Sequence, residues 1–260
     1  MDLPREYISY SQIRLYQDCP KKYHFNYIEN ISLPVNEKVF LGVVFHSAIE
    51  HFFNEKTRGN ILDVETFTDF FKKKFEELQG SIKVSWENSV SENRSRGVAF
   101  ARYFARVIAP TIEPLMVEKE LWAEIPGIDT RLRGVLDLVE TDFSITDFKT
   151  TTAKWSKSRI QHSYLQVIMY RYLFEKSFGD VISSLKFKVI YAKSSNNIKH
   201  QELSIKPGDV DFDYSRMFEI IRFVIDNIKE GVFYKNEGYA CNFCDYKSIC
   251  KGIPTTTPSK

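Results

Sequence analysis

RLRGVLDLVETDFSITDFK, residues 131–149, holds two stretches of apolar alternation parted by a polar turn. A period of two is the signature of a strand, and two such stretches with a tight turn near Thr141 predict strands over Thr130 to Val139 and Phe143 to Lys149. Alternation puts Val135, Asp137 and Val139 on one face of the first strand, opposite Leu132, Gly134, Leu136 and Leu138. In the second it gathers Ile145, Asp147 and Lys149 on one side, so pairing can bring two carboxylates and an ammonium together.

Working outward, the same criteria predict another strand over Val117 to Ile125, two more over Leu185 to Ala192 and Lys199 to Ile205, and helices over Arg159 to Phe178 and Phe212 to Glu230. The first hundred residues read as helical. Ser9 or Ser11 caps a short helix reaching Asp18, and apolar periods run over Val39 to Thr57, Val64 to Leu78 and Val90 to Ile108, with Ser81 to Asn93 a polar, mobile loop. Helices, antiparallel strands, helix, strand and helix make an α/β chain. No composition break marks a linker, so the expectation is one domain over 1–260 with a helical insertion at about 60–115.

A hydrophobic share of 43% with 21 Phe and 14 Tyr provides for a sizeable core and excludes a disordered or collagen-like chain. A net charge of +2 neither calls for nor excludes nucleic acid, because binding depends on a local basic face. The opening MDLPREYISYSQ has neither the pattern of a signal peptide nor that of a membrane anchor, which predicts a cytoplasmic, reducing environment and no membrane partner. No G-x-x-x-x-G-K-[ST] occurs, so no P-loop motor is expected.

Two strand carboxylates with a neighbouring lysine suit phosphodiester hydrolysis. Oxygen ligands hold Mg²⁺ or Mn²⁺, the ion polarises the phosphate and acidifies a water, and the ammonium steadies developing charge. A D-x-K triplet alone says little, and Asp245-Tyr246-Lys247 matches it without a preceding strand. Order carries the weight: Gly42-x-x-x-His46, then Gly134-x-x-Asp137, then Asp147-x-Lys149, then Gln166-x-x-x-Tyr170. This series resembles the RecB-like branch of the PD-(D/E)XK nucleases, a family found in recombination exonucleases, AddB-type subunits and CRISPR-associated nucleases.

The resemblance implies a restriction-endonuclease-like mixed sheet flanked by helices. It further implies that His46, Asp137, Asp147 and the main-chain carbonyl of Phe148 bind the metal, that Lys149 is catalytic, and that Gln166 and Tyr170, counted with the catalytic set, stand beside the site and help position the DNA or the lysine. A histidine ligand makes Mn²⁺ as suitable as Mg²⁺. Glu118 and Glu120, opening the strand VEKELWAEI, read as solvated edge charges, with assistance to the metal or contact with DNA by one of them as the alternative.

Cys241, Cys244 and Cys250 form C-x2-C-x5-C, and the fourth cysteine, Cys19, lies in C-P-x-x-Y near the other end. Structural zinc sites more often draw on two close pairs, whereas iron-sulfur clusters accept three grouped thiolates and one distant one. The pattern is similar to the iron-sulfur variant of the same branch. That implies a 4Fe-4S cluster held by a region of about 9–30 and 236–252, joining the termini beside a helical lobe, with zinc as the alternative. Closing so long a loop restrains the unfolded chain, which makes the cluster's first role structural.

For DNA, the segment TTAKWSKSR offers Lys154, Lys157 and Arg159 to phosphates and Trp155 to a base. Lys21 and Lys22, Lys72 to Lys74, and Arg94, Arg96, Arg102 and Arg106 are further basic clusters. The resemblance implies a metal-dependent exonuclease preferring single-stranded ends, acting in recombination, repair, phage replication or CRISPR adaptation beside a recombinase, helicase or integrase. A structure-selective endonuclease and a non-cutting iron-sulfur DNA-binding subunit are the alternatives.

Overall fold

The computed structural model describes residues 1–209 and 213–252. In chain order it contains β1 (Tyr7–Ile8), α1 (Tyr10–Asp18), α2 (Pro20–Tyr23), β2 (Val35–Asn36), α3 (Glu37–Thr57), α4 (Val64–Ser81), β3 (Val84–Ser85) and α5 (Val90–Tyr103). Then come β4 (Pro114–Ile125), β5 (Ile128–Glu140), β6 (Ile145–Thr151), α6 (Lys157–Gln161), α7 (Tyr164–Phe178), β7 (Leu185–Tyr191), β8 (Lys199–Ile205), α8 (Tyr214–Lys229) and α9 (Lys247–Cys250). The expected start of the last long helix at Phe212 lies outside the described residues, as does the side chain of Lys157.

Two compact units share this chain: residues 1–33, 124–132 and 218 onward form the first, residues 34–123 and 133–217 the second. In the second, β6 lies between β5 and β7, with β4 beyond β5 and β8 beyond β7. β5 and β6 run antiparallel with Leu138 opposite Thr146, whereas β6 and β7 run parallel with Asp147 opposite Phe187 and Lys149 opposite Val189. The sheet is therefore mixed. A central strand lined by neighbours on both sides holds its side chains more rigidly than an edge strand can, and β6 carries both Asp147 and Lys149.

Phe148 points away from those two residues into an aromatic core, its ring 5.9 Å from Phe53 and 5.7 Å from Phe104. Phe40, Phe45, Phe67, Phe71, Phe75 and Phe100 complete a fully buried layer between α3, α4, α5 and the sheet. Edge-to-face ring pairs such as Phe45 with Phe104 add packing specificity beyond burial. Asn36 caps α3 through the N–H groups of Lys38 and Val39, Asp63 caps α4, and Ser89 with Glu92 forms a capping box on α5. At Gly97 a Cβ would come within 2.7 Å of Leu41 and 2.5 Å of Phe71, so glycine permits the close crossing of α5 over α3 and α4.

Two expectations are corrected here. The polar stretch 81–93 is ordered: β3 pairs with β2, and the buried Glu37 carboxylate accepts from the N–H groups of Glu87 and Asn88 and from the side chains of Asn88 and Asn93. The helix expected over Arg159 to Phe178 is two helices, because the chain tightens at Ser163, whose N–H bonds back to Ile160.

In the first unit β1 pairs with the start of β5, Ile8 opposite Leu132. The N- and C-terminal segments interlock. Tyr16 donates to Val232 O at 2.6 Å, Tyr246 donates to Ile31 O at 3.1 Å, and Phe25 stacks on Tyr246 at 5.5 Å. Among the described residues no helix is long and apolar enough to cross a membrane.

Candidate functional site

β5 and β6 bring Asp137, Asp147 and Lys149 together as their alternation requires. Asp137 Oδ2 accepts from the main-chain N–H of Phe148 at 3.1 Å, which fixes one carboxylate against the strand that bears the other. Lys149 Nζ stands 2.6 Å from Asp147 Oδ2 in an ion pair without hydrogen-bond geometry, so that buried oxygen retains its acceptor capacity. The other oxygen, Asp147 Oδ1, accepts from Gln166 Nε2 on α7 at 3.2 Å.

α7 reaches the site because β5 carries Gly134. A Cβ there would lie 2.6 Å from Leu173 and 3.4 Å from Tyr170. The close approach lets Tyr170 donate to Val135 O at 3.1 Å, and it sets Gln166 over Asp147. Gln166 therefore contacts a candidate ligand, while Tyr170 holds α7 on the strand. From the opposite element, α3 contributes His46, whose Nδ1 lies 3.3 Å from Asp137 Oδ2. Gly42, one turn earlier, has nothing within 4 Å of where a side chain would begin, so packing does not account for it.

Glu118 corrects the sequence reading. Far from being a solvated edge charge, it is half-buried and supplies a ligand-type atom to a group with His46 and Asp137, all within 4.8 Å of one another. Its φ of 45° is unusual for a non-glycine residue and breaks the alternation of β4 at this position. Sequence periodicity cannot reveal a locally inverted residue, which is why the pattern of β4 does not show it. Glu120 does remain outside, bonded to Arg133 and Trp122.

The electrostatics describe a crowded anionic centre. Burial, and then the Asp147 carboxylate, raise the pKa of Asp137 to about 6, against the lowering influence of His46, Lys149 and the Phe148 N–H. Burial and the charges of Asp137, Glu50 and Asp147 raise Glu118 to about 7. Carboxylates that oppose one another's ionisation, an imidazole and a buried oxygen without a hydrogen-bond donor form a donor set that fits a divalent cation. Phe148 offers its main chain alone, since its side chain belongs to the core.

The four cysteines are free and line a single cavity of about 510 Å³ with Phe25 and Tyr246 among its walls. Among the described residues no three of the thiols lie within 4.8 Å of one another.

The basic clusters are mostly neutralised within the fold: Lys72 pairs with Asp69, Lys74 with Glu77, Arg94 with Glu76, Arg102 with Glu65 and Lys22 with Asp245. Trp155 does not offer its ring to a base. It is 7% exposed, packs on Phe187 at 5.3 Å and is covered by Arg159, because both main-chain groups of Trp155 bond to the Gln201 side chain and draw the segment inward.

No curated protein matches the chain. A crystal structure described as "Putative exonuclease" from Eubacterium rectale superposes with a TM-score of 0.57, covering 98% of this chain and 91% of that one at 15% identity, which is a likeness of fold. A crystal structure of SSO0001 aligns over 54% of this chain and 61% of that one at 16% identity and a TM-score of 0.36. The family model for the PD-(D/E)XK nuclease superfamily matches residues 7–251, a span that takes in the carboxylates, the lysine and all four cysteines. The chain belongs to the PD-(D/E)XK nuclease superfamily.

Proposed function

We propose that the protein is a divalent-metal-dependent DNA exonuclease whose reaction centre is Asp137, Asp147 and Lys149. The observation that carries this reading is Asp147 Oδ2, a buried carboxylate oxygen without a hydrogen-bond donor, beside an Asp137 whose ionisation it opposes. Two anions held together in burial favour a cation between them.

His46, Asp137, Asp147 and the Phe148 carbonyl are the proposed ligands of Mg²⁺ or Mn²⁺, with Glu118 close enough to join them. When bound, such an ion polarises the phosphate and lowers the pKa of a water. Lys149 is placed to steady negative charge developing on the phosphate or to orient the attacking water. Gln166 holds Asp147 in its orientation, and Tyr170 keeps α7 seated on β5 through Val135.

The proposed substrate is DNA with single-stranded ends, in recombination, repair, phage replication or CRISPR adaptation, beside a recombinase, helicase or integrase. The cysteine cavity of the first unit is the proposed seat of a 4Fe-4S cluster, on the ground that all four thiols line it. Thiolates three in a group and one distant suit such a cluster, whose role here is to join the terminal segments.

End-labelled linear strands, linear duplex and closed circular single strands, each incubated with Mn²⁺ or Mg²⁺, test the exonuclease reading. Digestion of linear strands with circles left intact is expected. Efficient cutting of circles would establish endonuclease action instead.

A further inference from the structure

Beside Lys149 lies a cavity of about 260 Å³ lined by Lys38, Arg96, Arg159, Trp155 and the threonines at 150–152, and no carboxylate is among its lining residues. Lys38 and Arg96 have carboxylate partners only at the limit of an ion pair, Glu87 at 3.8 Å and Glu37 at 4.0 Å, so a wall carrying these cations and Arg159 with no carboxylate among its lining residues has the character of an anion site. Two further observations concern the donors in this wall. Arg96 is only 9% exposed, yet of its five N–H donors the structure gives one hydrogen bond, Nη2 to Asn93 Oδ1 at 2.6 Å, with Glu37 at 4.0 Å. The indole N–H of Trp155 is buried with no acceptor at all. Buried donors are normally satisfied, and exceptions need a reason.

The guanidinium is also held in place. Glu37 bonds Asn93, Asn93 bonds Arg96, and Arg96 then lines both this cavity and an adjoining polar one of about 350 Å³ that includes Asn93 and Lys193. A planar fork fixed in this way is built for two-point recognition of phosphate oxygens. Arg159 lies over Trp155 with its charge 4.7 Å from the ring centre, at the wall of the same space.

We propose that this cavity is a phosphate subsite, anchored on Arg96 and completed by Lys38 and Arg159, which holds a phosphate group of the DNA strand adjoining the one at Lys149. The inference rests on the nuclease reading and adds to it a defined grip on the strand. The occupant is a phosphate, either an internal phosphodiester or a phosphorylated end.

Binding without cleavage tests it. A fluorescent single-stranded oligothymidine is titrated in chelator at a series of salt concentrations, with the unaltered protein and with Arg96→Gln, Arg159→Gln, Lys38→Gln and, as a distant control, Lys72→Gln. Removing one cation that neutralises a phosphate should flatten the slope of log K against log salt by about 0.7 for a single strand. Arg159→Gln and Lys38→Gln, at the wall rather than in the Glu37 network, guard against misfolding of Arg96→Gln, and Lys72→Gln should leave the slope unchanged.

Strands ending in 5′-phosphate, 3′-phosphate or hydroxyl separate the sources. Weakening confined to one phosphorylated end identifies a terminal phosphate, equal weakening on all identifies a phosphodiester, and either supports the subsite. Slopes unchanged in Arg159→Gln and Lys38→Gln, with tight binding by the unaltered protein, would overturn the subsite alone. Absence of binding by the unaltered protein would overturn both the subsite and the nuclease reading.

Discussion

Asp137 and Glu118 bind protons more tightly in the folded chain than a free carboxylate does, at about 6 and about 7, because burial and neighbouring carboxylates disfavour their charged forms. Folded protein therefore holds more protons than unfolded protein between roughly pH 4 and pH 7, and linkage makes stability fall as pH rises through that window. Metal-free protein in chelator is expected to melt at a lower temperature at pH 8 than at pH 5, with Glu118→Gln showing a smaller drop. A melting temperature that rises across the same range would contradict the stated origin of these shifts. Added Mn²⁺ should restore stability at pH 8, since a cation takes over the role of the protons. That Asp137, Asp147 and Lys149 come together could be read from the sequence because alternation fixes which side chains share a face, while their proposed roles come from the order of motifs that resembles the family's. Glu118 could be read only as an edge charge or, alternatively, as an aid to the metal, because its φ of 45° departs from the regular alternation on which the strand reading rests.

At the scale of elements, the close approach of α7 to β5 is the contact on which the site's support depends, and Gly134 makes it possible. Gly134→Ala places a Cβ 2.6 Å from Leu173, itself fully buried and unable to withdraw freely. Overpacking of this kind costs about 1–3 kcal/mol, readable as a lower denaturant midpoint, and Leu173→Ala in the same chain should recover part of it. If the double variant is no better than the sum of the single ones, the clash is not the cause. β8 and the bodies of β5, β6, α3 and α4 were legible because each runs long enough for its period to emerge. The two-residue strands β1, β2 and β3 are too short to show one, and the parallel direction of β7 against β6 depends on which strands meet rather than on the sequence of either. The break at Ser163 leaves no sign in the pattern because the apolar period continues through it while the backbone tightens.

At the scale of the whole molecule, the chemistry and the cysteines occupy separate compact units of one chain, so they should respond separately to mutation. If the proposed cluster ties the N-terminal segment to the C-terminal one, Cys19→Ser is expected to abolish the visible absorbance and iron of anaerobically purified protein and to lower its melting temperature by several degrees. A colourless unaltered protein containing zinc would remove the cluster from the account and leave the nuclease site standing. Digestion of end-labelled single-stranded DNA in Mn²⁺, in Mg²⁺ and in chelator, with Lys149→Ala in parallel, asks whether Asp137, Asp147 and Lys149 cut DNA with a divalent ion. Loss of substrate only with the ion, slowed in the variant by about 10²–10³-fold, is the result this account predicts; cleavage that persists in chelator, or that Lys149→Ala leaves at full rate, would contradict it.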